Sequence, residues 1–379
     1  MILLVGTGAL AVVAAMAIGV LTVFVARTVV TPPRRRGDDT RVLSVDSTAG
    51  TITLSRSTEA RLPGHYSFWF SGDTGHARVG DALDETDVSI TRKVITVDFG
   101  DLAMARRGRL SGLFYLDPGE FGHPFTEVQI ETELGPSPAW LIPAERPSGR
   151  WVIQVHGRAA NRQEALRTIP VFREAGYTSL LISYRNDPDA PASPDGRYGL
   201  GDTEWHDVDA ALRFAVRNGA TDVVLMGWSM GGATVLQTVT RSDLSDVVRG
   251  IVLDSPVVDW ITVLKYQGKL RNLPKPVRSA VLLLIGKGWA RRLTGQLAPI
   301  DLPRLNFVRR AHELHLPILL MHSDDDGFVP SVASRALAQA RPDIVTYEAF
   351  TVAAHTKLWN YDRARWNAAI SGWLASIGG

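Results

Sequence analysis

A five-residue stretch, Gly227-Trp228-Ser229-Met230-Gly231, constrains the fold of this 379-residue chain more than any other feature. An apolar run typical of a β-strand, residues 222–226, precedes it, and a run typical of a helix, residues 232–240, follows it. A serine on so sharp a strand-to-helix turn needs neighbours with almost no side chain two positions away, and both are glycine here. The pattern predicts that Ser229 lies at the end of a strand, with its hydroxyl exposed as a candidate nucleophile.

A serine hydroxyl needs a base to accept its proton, and the base needs an acid that holds its tautomer. Two of the histidines downstream of Ser229 belong to the approach to a strand, and a third ends an apolar run. The fourth lies in a short loop between a strand-like run, residues 344–350, and a helix, which is a usual place for a general base. We therefore predict His355 as the base, in preference to His312, His315 and His322.

The candidate acids lie in the turn that follows the preceding strand, which reads His322-Ser323-Asp324-Asp325-Asp326-Gly327-Phe328-Val329-Pro330. This segment resembles the His-Gly-x-x-Asp-x-x-Val-Pro pattern of the α/β-hydrolase superfamily, with Ser323 in place of glycine. The resemblance implies that Asp326 is the acid. Two alternatives are open: the aspartates form a solvated helix-capping turn, or the acid is Asp254, which follows another strand.

Acyl transfer also needs N–H donors aimed at the developing oxyanion. One donor is the backbone N–H of Met230, at the start of the helix after the serine. The segment Trp151-Val152-Ile153-Gln154-Val155-His156-Gly157-Arg158 resembles the superfamily's strand followed by His-Gly, which implies that the N–H of Arg158 is the second donor. Gly157 then lets the backbone approach the substrate, and His156 supports the loop. The side chains of Arg158 and Arg162 are expected at the solvated surface, or else on an anionic substrate group.

Short apolar runs alternate with longer amphipathic runs between residue 127 and the end of the chain, which is typical of a mainly parallel sheet with crossover helices. The resemblance covers about two thirds of the chain and implies an α/β-hydrolase fold over residues 125–379. Residues 257–302 interrupt the alternation and resemble the helical cap of the family. They fit equally well an ordinary helix pair that packs on the sheet, or a surface that leans on a membrane.

Residues 2–26 contain no charged side chain and would extend about 37 Å as a helix, enough for a bilayer. We predict a transmembrane helix here, with a cleaved signal peptide as the alternative. Arg27, Arg34, Arg35 and Arg36 follow in a basic juxtamembrane linker, residues 27–40, suited to anionic lipid headgroups. The positive-inside rule then predicts a single-pass cell-membrane protein with a cytoplasmic catalytic domain.

Residues 41–118 contain several strand-like runs separated by glycine and aspartate, and they predict a small β-rich module. The net charge is +2 and the sequence has a single basic cluster, so it does not indicate nucleic-acid binding. The chain has no cysteine, and no His or Asp/Glu cluster indicates a metal site. We therefore expect no cofactor and no metal, and the oligomeric state is left open.

The residues and the resemblance together predict a membrane-anchored serine hydrolase that forms an acyl-enzyme on Ser229. The resemblance favours a carboxylic ester as substrate, and an anchored site under a cap would suit a lipid-like acyl group. A serine peptidase, an amidase or a thioesterase of the same fold is the alternative, because fold alone cannot choose the bond. A second alternative, from another class, is a non-catalytic membrane-bound interaction module.

Overall fold

The structure, a computed structural model, describes residues 2–33 and 37–378, and for residues 2–14 it describes the backbone alone. Its strands form a closed six-stranded barrel and an eight-stranded sheet. The helices are α1 Ile2–Val30, α2 Thr58–Arg61, α3 Ile169–Glu174, α4 Trp205–Arg217, α5 Met230–Arg241, α6 Trp260–Leu270, α7 Lys275–Gly286, α8 Arg291–Thr294, α9 Val332–Ala340, α10 Leu358–Tyr361 and α11 Arg363–Ile377.

The barrel occupies the region predicted to be β-rich, and its neighbouring strands are antiparallel in the order β1-β2-β5-β4-β3-β6. Its strands are β1 Thr40–Asp46, β2 Thr51–Ser55, β3 Tyr66–Phe70, β4 Gly75–Glu85, β5 Ser89–Phe99 and β6 Arg107–Ser111. Side chains alternate along a strand, so Ile52 and Leu54 of β2 are buried between half-buried threonines and serine. They join Phe68, Phe70 and Ile90 in a separate apolar core inside the barrel.

The large sheet has the order β14-β13-β12-β11-β9-β10-β8-β7. Strands β9 to β14 run parallel, and β8 and β7 complete one edge in antiparallel pairing. Its strands are β7 Thr126–Thr132, β8 Gly135–Ile142, β9 Arg150–Val155, β10 Thr178–Ile182, β11 Asp222–Trp228, β12 Val248–Asp254, β13 Ile318–Ser323 and β14 Val345–Phe350. The predicted mainly parallel sheet is therefore confirmed.

The two faces of this sheet contribute to two apolar cores, because successive side chains of a strand point to opposite faces. In β11, Val223 and Leu225 belong to a core that also contains residues of α4, α5, α6 and α7, whereas Val224 and Met226 belong to a core with residues of α3 and α11. Helices therefore cover both faces of the sheet. The loops that carry the candidate site lie at the edge formed by the C-terminal ends of the parallel strands.

Residues 162–174, which follow β9, form two consecutive helical segments. A 3-10 helix, Arg162–Thr168, precedes α3, and Pro170 lies in the first turn of α3. Proline has no N–H to donate to the preceding turn, so a new helix begins at this position. The predicted cap segment contains α6, α7 and α8, and its role as a cap stays a prediction.

The C-terminal part of α1 packs against the rest of the protein. Ala26 and Val30 are fully buried in the core that also contains residues of α7, and the Nε of Arg27 donates to the carbonyl of Leu293 at 2.7 Å. Across the residues searched in the described part of the chain, no helix is both long and apolar enough to cross a bilayer. This finding contradicts the predicted transmembrane helix over residues 2–26, the membrane partner and the single-pass localisation with a cytoplasmic catalytic domain. Arg34, Arg35 and Arg36 of the predicted linker lie outside the described residues.

Candidate active site

Ser229 lies in the turn between β11 and α5, as the sequence predicts. Its backbone has φ +50° and ψ −115°, in the left-handed half of conformational space that side chains rarely adopt. A Cβ on Gly227 would lie 2.5 Å from the carbonyl carbon of Gly231, and one on Gly231 would lie 2.1 Å from the carbonyl oxygen of Val155. Both glycines are therefore required for the turn. Ser229 is only 5% exposed, in contrast to the expected open hydroxyl.

His355 and Asp326 meet Ser229 at the end of the sheet. The Nε2 of His355 lies 2.8 Å from the Oγ of Ser229, and its Nδ1 lies 2.6 Å from the Oδ2 of Asp326. Because a carboxylate only accepts, Nδ1 carries the proton, and Nε2 of the neutral ring accepts from the hydroxyl. Asp326 follows β13 and His355 follows β14, which are parallel neighbours, so their ends bring the two loops together.

Asp326 is surrounded by donors. Its Oδ1 accepts from the backbone N–H groups of Phe328 and Val329, each at 2.8 Å, and its Oδ2 also lies 3.2 Å from the Nε2 of His322. Burial alone would raise the pKa of Asp326, but the imidazoles of His355 and His322 lower it far below its ordinary value. The carboxylate is therefore ionised throughout the neutral range. The contact made by His322 was missed from the sequence, although its spacing of four residues from Asp326 was the available signal.

The charge of Asp326 acts in turn on His355. Burial alone would lower the pKa of His355, but the attraction and hydrogen bond of Asp326 raise it above the ordinary value of histidine. A hydroxyl, an imidazole and a carboxylate thus form one chain along which a proton can pass from Oγ to Nε2. Across the described residues, no group of three or more His, Cys, Asp or Glu side chains could hold a metal ion.

The alternative acids have other partners. Asp324 accepts from the hydroxyl of Ser331 at 2.8 Å and pairs with Arg335. The Oδ2 of Asp325 accepts from the N–H of Val352 at 2.6 Å, which ties it to the loop of His355. Asp254 accepts from the Nε1 of Trp366 and the hydroxyl of Ser255, each at 2.9 Å, and burial raises the pKa of its carboxyl. These three carboxylates bond to other groups, whereas Asp326 bonds directly to the imidazole of His355.

The loop after β9 packs directly against the serine. A Cβ on Gly157 would lie 3.2 Å from the Cβ of Ser229, and the N–H of Gly157 donates to the Oε2 of Glu164 at 2.7 Å. Arg158, whose amide is one predicted oxyanion donor, is the next residue. Met230, the other, is the first residue of α5, where an N–H has no partner within the helix. Gly157 of the loop and the first residue of α5 thus both adjoin Ser229, and the role of the Arg158 and Met230 amides as oxyanion donors stays a prediction.

His156 lies beneath this loop, fully buried and stacked on Tyr184. Its Nε2 donates to the Oδ2 of Asp187 at 2.7 Å, and its Nδ1 lies 2.9 Å from the carbonyl oxygen of Gly157. Burial favours the neutral ring, but the charge of Asp187 raises the pKa of His156 above its ordinary value. Both nitrogens therefore face acceptors, and the ring holds the shape of the loop rather than facing Ser229.

The side chains of Arg158 and Arg162 are bound to the protein, so the expectation that they are solvated is wrong. The Nη2 of Arg158 donates to the carbonyls of Thr28, Val29 and Thr31 at 2.9, 3.2 and 2.9 Å, at the C-terminal end of α1. A cation at this end of a helix meets its unpaired carbonyls and the negative pole of its dipole. Arg162 stacks on Trp140 at 4.2 Å from the ring centroid and pairs with a carboxylate of Glu127.

A buried ion pair between Glu164 and Arg167 connects the two loops of the site, and the sequence analysis missed it. The Oε1 of Glu164 binds the Nη2 of Arg167 at 3.2 Å, while its Oε2 holds the amide of Gly157. The Nη1 of Arg167 donates to the carbonyl of Thr356, next to His355, at 2.9 Å. The only signal in the sequence was two opposite charges three residues apart in a short helical segment.

Comparison with known families gives two matches. The model described as a domain of unknown function (DUF8805) matches residues 41–111, which contain most of the barrel. The model described as the alpha/beta hydrolase family matches residues 155–369, more than half of the chain. No curated protein matches the chain.

Solved structures resemble the chain in fold. An esterase of Pyrococcus furiosus is 17% identical with a TM-score of 0.54, over 70% of this chain and 95% of its own. A puromycin-hydrolyzing peptidase of Mycobacterium tuberculosis is 16% identical with a TM-score of 0.55, over 92% of this chain and 55% of its own. With the family match and the fold in agreement, the chain is a serine hydrolase that belongs to the alpha/beta hydrolase family.

Proposed function

We propose that this enzyme cleaves a carboxylic ester through an acyl-enzyme on Ser229, with His355 as general base and then general acid, and Asp326 as its orienting acid. The observation that carries the proposal is the continuous chain from the Oγ of Ser229 to the Nε2 of His355 at 2.8 Å, and from its Nδ1 to Asp326 at 2.6 Å. These are the distances at which a base takes a proton from a nucleophile.

In the first half-reaction the Oγ of Ser229 attacks the ester carbonyl while its proton passes to the Nε2 of His355. The carbonyl oxygen becomes an oxyanion, to which the amides of Arg158 and Met230 donate. The tetrahedral intermediate then collapses, the bond to the alkoxy oxygen breaks, and His355 gives the proton to the departing alcohol. The ionised Asp326 supports this cycle because it stabilises the imidazolium that forms twice.

In the second half-reaction a water molecule takes the place of the alcohol. His355 removes a proton from the water as its oxygen attacks the acyl carbon, and the same two amides receive the second oxyanion. Collapse breaks the bond to the Oγ of Ser229, which recovers its proton from His355, and the carboxylic acid leaves. One hydroxyl thus carries the acyl group between two proton transfers that use the same ring.

The substrate class is proposed from the site and not from relatives, because likeness below one fifth identity carries fold alone. The contradicted membrane span removes the argument for a lipid-like acyl group. A peptide or an amide stays an outcome of the test below, since the same chemistry can cleave either bond.

The decisive experiment compares the parent enzyme with Ser229→Ala, using aryl esters, aminoacyl anilides and a fluorophosphonate probe. We expect labelling and ester hydrolysis in the parent, no labelling in the variant, and a fall in kcat of roughly a thousand-fold or more. Ser371→Ala, on the exposed surface of α11, is the matched control and should behave like the parent. Labelling that persists in Ser229→Ala would refute the assignment, and turnover of anilides but not of esters would change the substrate class.

A further inference from the structure

The barrel contacts the hydrolase at the segment that directly follows His355. Asn360, in α10, donates from its Nδ2 to the carbonyls of His65 at 2.8 Å and Gly112 at 3.1 Å. The N–H of His65 returns a bond to the carbonyl of Asn360 at 3.1 Å. One buried residue of the hydrolase is thus held by three hydrogen bonds to two segments of the barrel region.

The two backbones meet so closely that a glycine is needed between them. Gly64 has φ +103°, and a Cβ there would lie 2.1 Å from the carbonyl oxygen of Asn360. Beside it, Glu59 of the barrel forms an ion pair with Lys357. Such an approach leaves no room for the two backbones to slide past each other.

A buried arginine of the barrel holds the segment that contains Gly64. Arg92 is fully buried, and its guanidinium donates to the carbonyls of Ala60, Leu62 and Gly64 at 2.9, 2.7 and 2.6 Å. Three carbonyls at the end of α2 and in the loop that follows it are therefore fixed by a side chain of β5, which supports Gly64 at the contact.

On the hydrolase side, Asn360 belongs to the network that reaches the site. The Nη1 of Arg167 donates to the Oδ1 of Asn360 at 3.3 Å and to the carbonyl of Thr356 at 2.9 Å. Thr356 adjoins His355 and has φ +55°, and its N–H donates to the hydroxyl of Ser255 at 3.2 Å. The same guanidinium thus binds both the residue that the barrel holds and the residue next to the base.

We propose that the barrel is a positioning module for the catalytic histidine: it holds Asn360, and through Asn360 and Arg167 it fixes the loop that places His355 against Ser229. The inference rests on the proposed function. Asn360 and Gly64 are positioning residues, since neither touches the reacting atoms. A displacement of about 1 Å at the base is enough to slow catalysis by up to about a hundred-fold, so a contact of this kind acts on kcat.

The test on the full chain is Gly64→Ala, with Gly50→Ala as its matched control. Both glycines have positive φ, +103° and +65°, but nothing lies within 4 Å of a Cβ on Gly50. Both variants therefore strain one barrel turn, and only Gly64→Ala pushes against Asn360. We expect kcat for an aryl ester, and the rate of fluorophosphonate labelling, to fall about ten-fold or more in Gly64→Ala. KM should change less than about two-fold, and Gly50→Ala should match the parent in both.

A second variant approaches the contact from the other side and decides the matter if Gly64→Ala does not fold. Asn360→Asp keeps the oxygen that accepts from Arg167 and replaces the amide donor with an oxygen facing the carbonyls of His65 and Gly112. The same selective fall in kcat is expected. Folded variants with the kcat of Gly50→Ala would overturn the inference, as would equal losses in Gly64→Ala and Gly50→Ala. The proposed function would still stand if Ser229→Ala remained inactive, so the two failures are distinguishable.

Discussion

The Oγ of Ser229 and the Nε2 of His355 lie 2.8 Å apart, but different contacts hold the two residues in place. Main-chain groups hold the backbone of Ser229: its N–H donates to the carbonyl of Asp254 at 3.1 Å, and its carbonyl accepts from the N–H of Val257 at 3.0 Å. The loop of His355 is held largely by side chains that come from Asp325, Ser255 and Arg167. The nucleophile is thus fixed by the sheet, whereas the base depends on distant parts of the chain.

The largest effect should come from breaking the turn at the serine. In Gly231→Ala the new Cβ would lie 2.1 Å from the carbonyl oxygen of Val155, in the central strand β9, which cannot yield. We expect a loss of about 3 kcal/mol or more in the free energy of unfolding, with no measurable esterase activity. Urea denaturation gives this quantity.

Gly372→Ala is the matched control for Gly231→Ala, because nothing lies within 4 Å of a Cβ at this position in α11. It should leave activity unchanged and stabilise the protein by up to about 1 kcal/mol. A Gly231→Ala variant with the melting behaviour of Gly372→Ala would show that the backbone contact is not restrictive.

The second-largest effect should come from removing the negative charge of Asp326 beside His355. In Asp326→Asn the attraction that raises the pKa of His355 disappears while its burial remains, so that pKa falls. Because the base works only when neutral, the acid limb of kcat/KM should move to lower pH, and kcat should fall by roughly 10⁴-fold. A pH profile of ester hydrolysis measures both.

Asp254→Asn sharpens this test, since Asp254 is the alternative acid and is bonded to Trp366 and Ser255. It should lose far less activity than Asp326→Asn and keep the acid limb in place. If the two variants exchanged these outcomes, Asp254 would be the acid and the assignment of Asp326 would be wrong.

The smallest effect should come from the exposed end of the loop. Asp325→Ala removes one acceptor, that of the N–H of Val352, whose bond of 2.6 Å holds the loop four residues from Thr356. One such bond contributes about 1 kcal/mol, so we expect kcat to fall about two- to five-fold and the melting temperature to change little. Asp243→Ala, at another exposed site, should resemble the parent, and equal kinetics in both variants would remove Asp325 from the support of the loop.

The same contrast explains how much of the molecule the sequence could predict. The turn at Ser229 and its strand and helix are encoded within about twenty residues, so local pattern was enough. A barrel strand such as β6, Arg107–Ser111, is harder to predict, because its sequence is polar and basic and it becomes a strand only through its partners β1 and β3. The hydrogen bonds to neighbouring strands, and not the composition of the segment, therefore determine this strand.

Long-range contacts account for the remaining errors. The bond from Asn360 to His65 joins residues 295 positions apart, and no spacing rule reaches that far. The apolar start of the chain was predicted to enter a membrane, but Ala26 and Val30 are buried against the protein, and apolarity does not distinguish these two environments. The ion pair Glu164–Arg167 is local, but its other partners, the N–H of Gly157 and the carbonyl of Thr356, lie in two loops that the sequence does not place together.

The hydrogen bonds from Arg158 to the C-terminal end of α1 affect how this enzyme should be prepared for kinetic measurements. A shortened protein that begins after Thr31 would lose all three carbonyl acceptors of that guanidinium, together with the acceptor that Val30 offers to the N–H of Tyr198. The orphaned cation would adjoin the very amide that we assign to the oxyanion, so rates from trimmed material would describe a different catalyst.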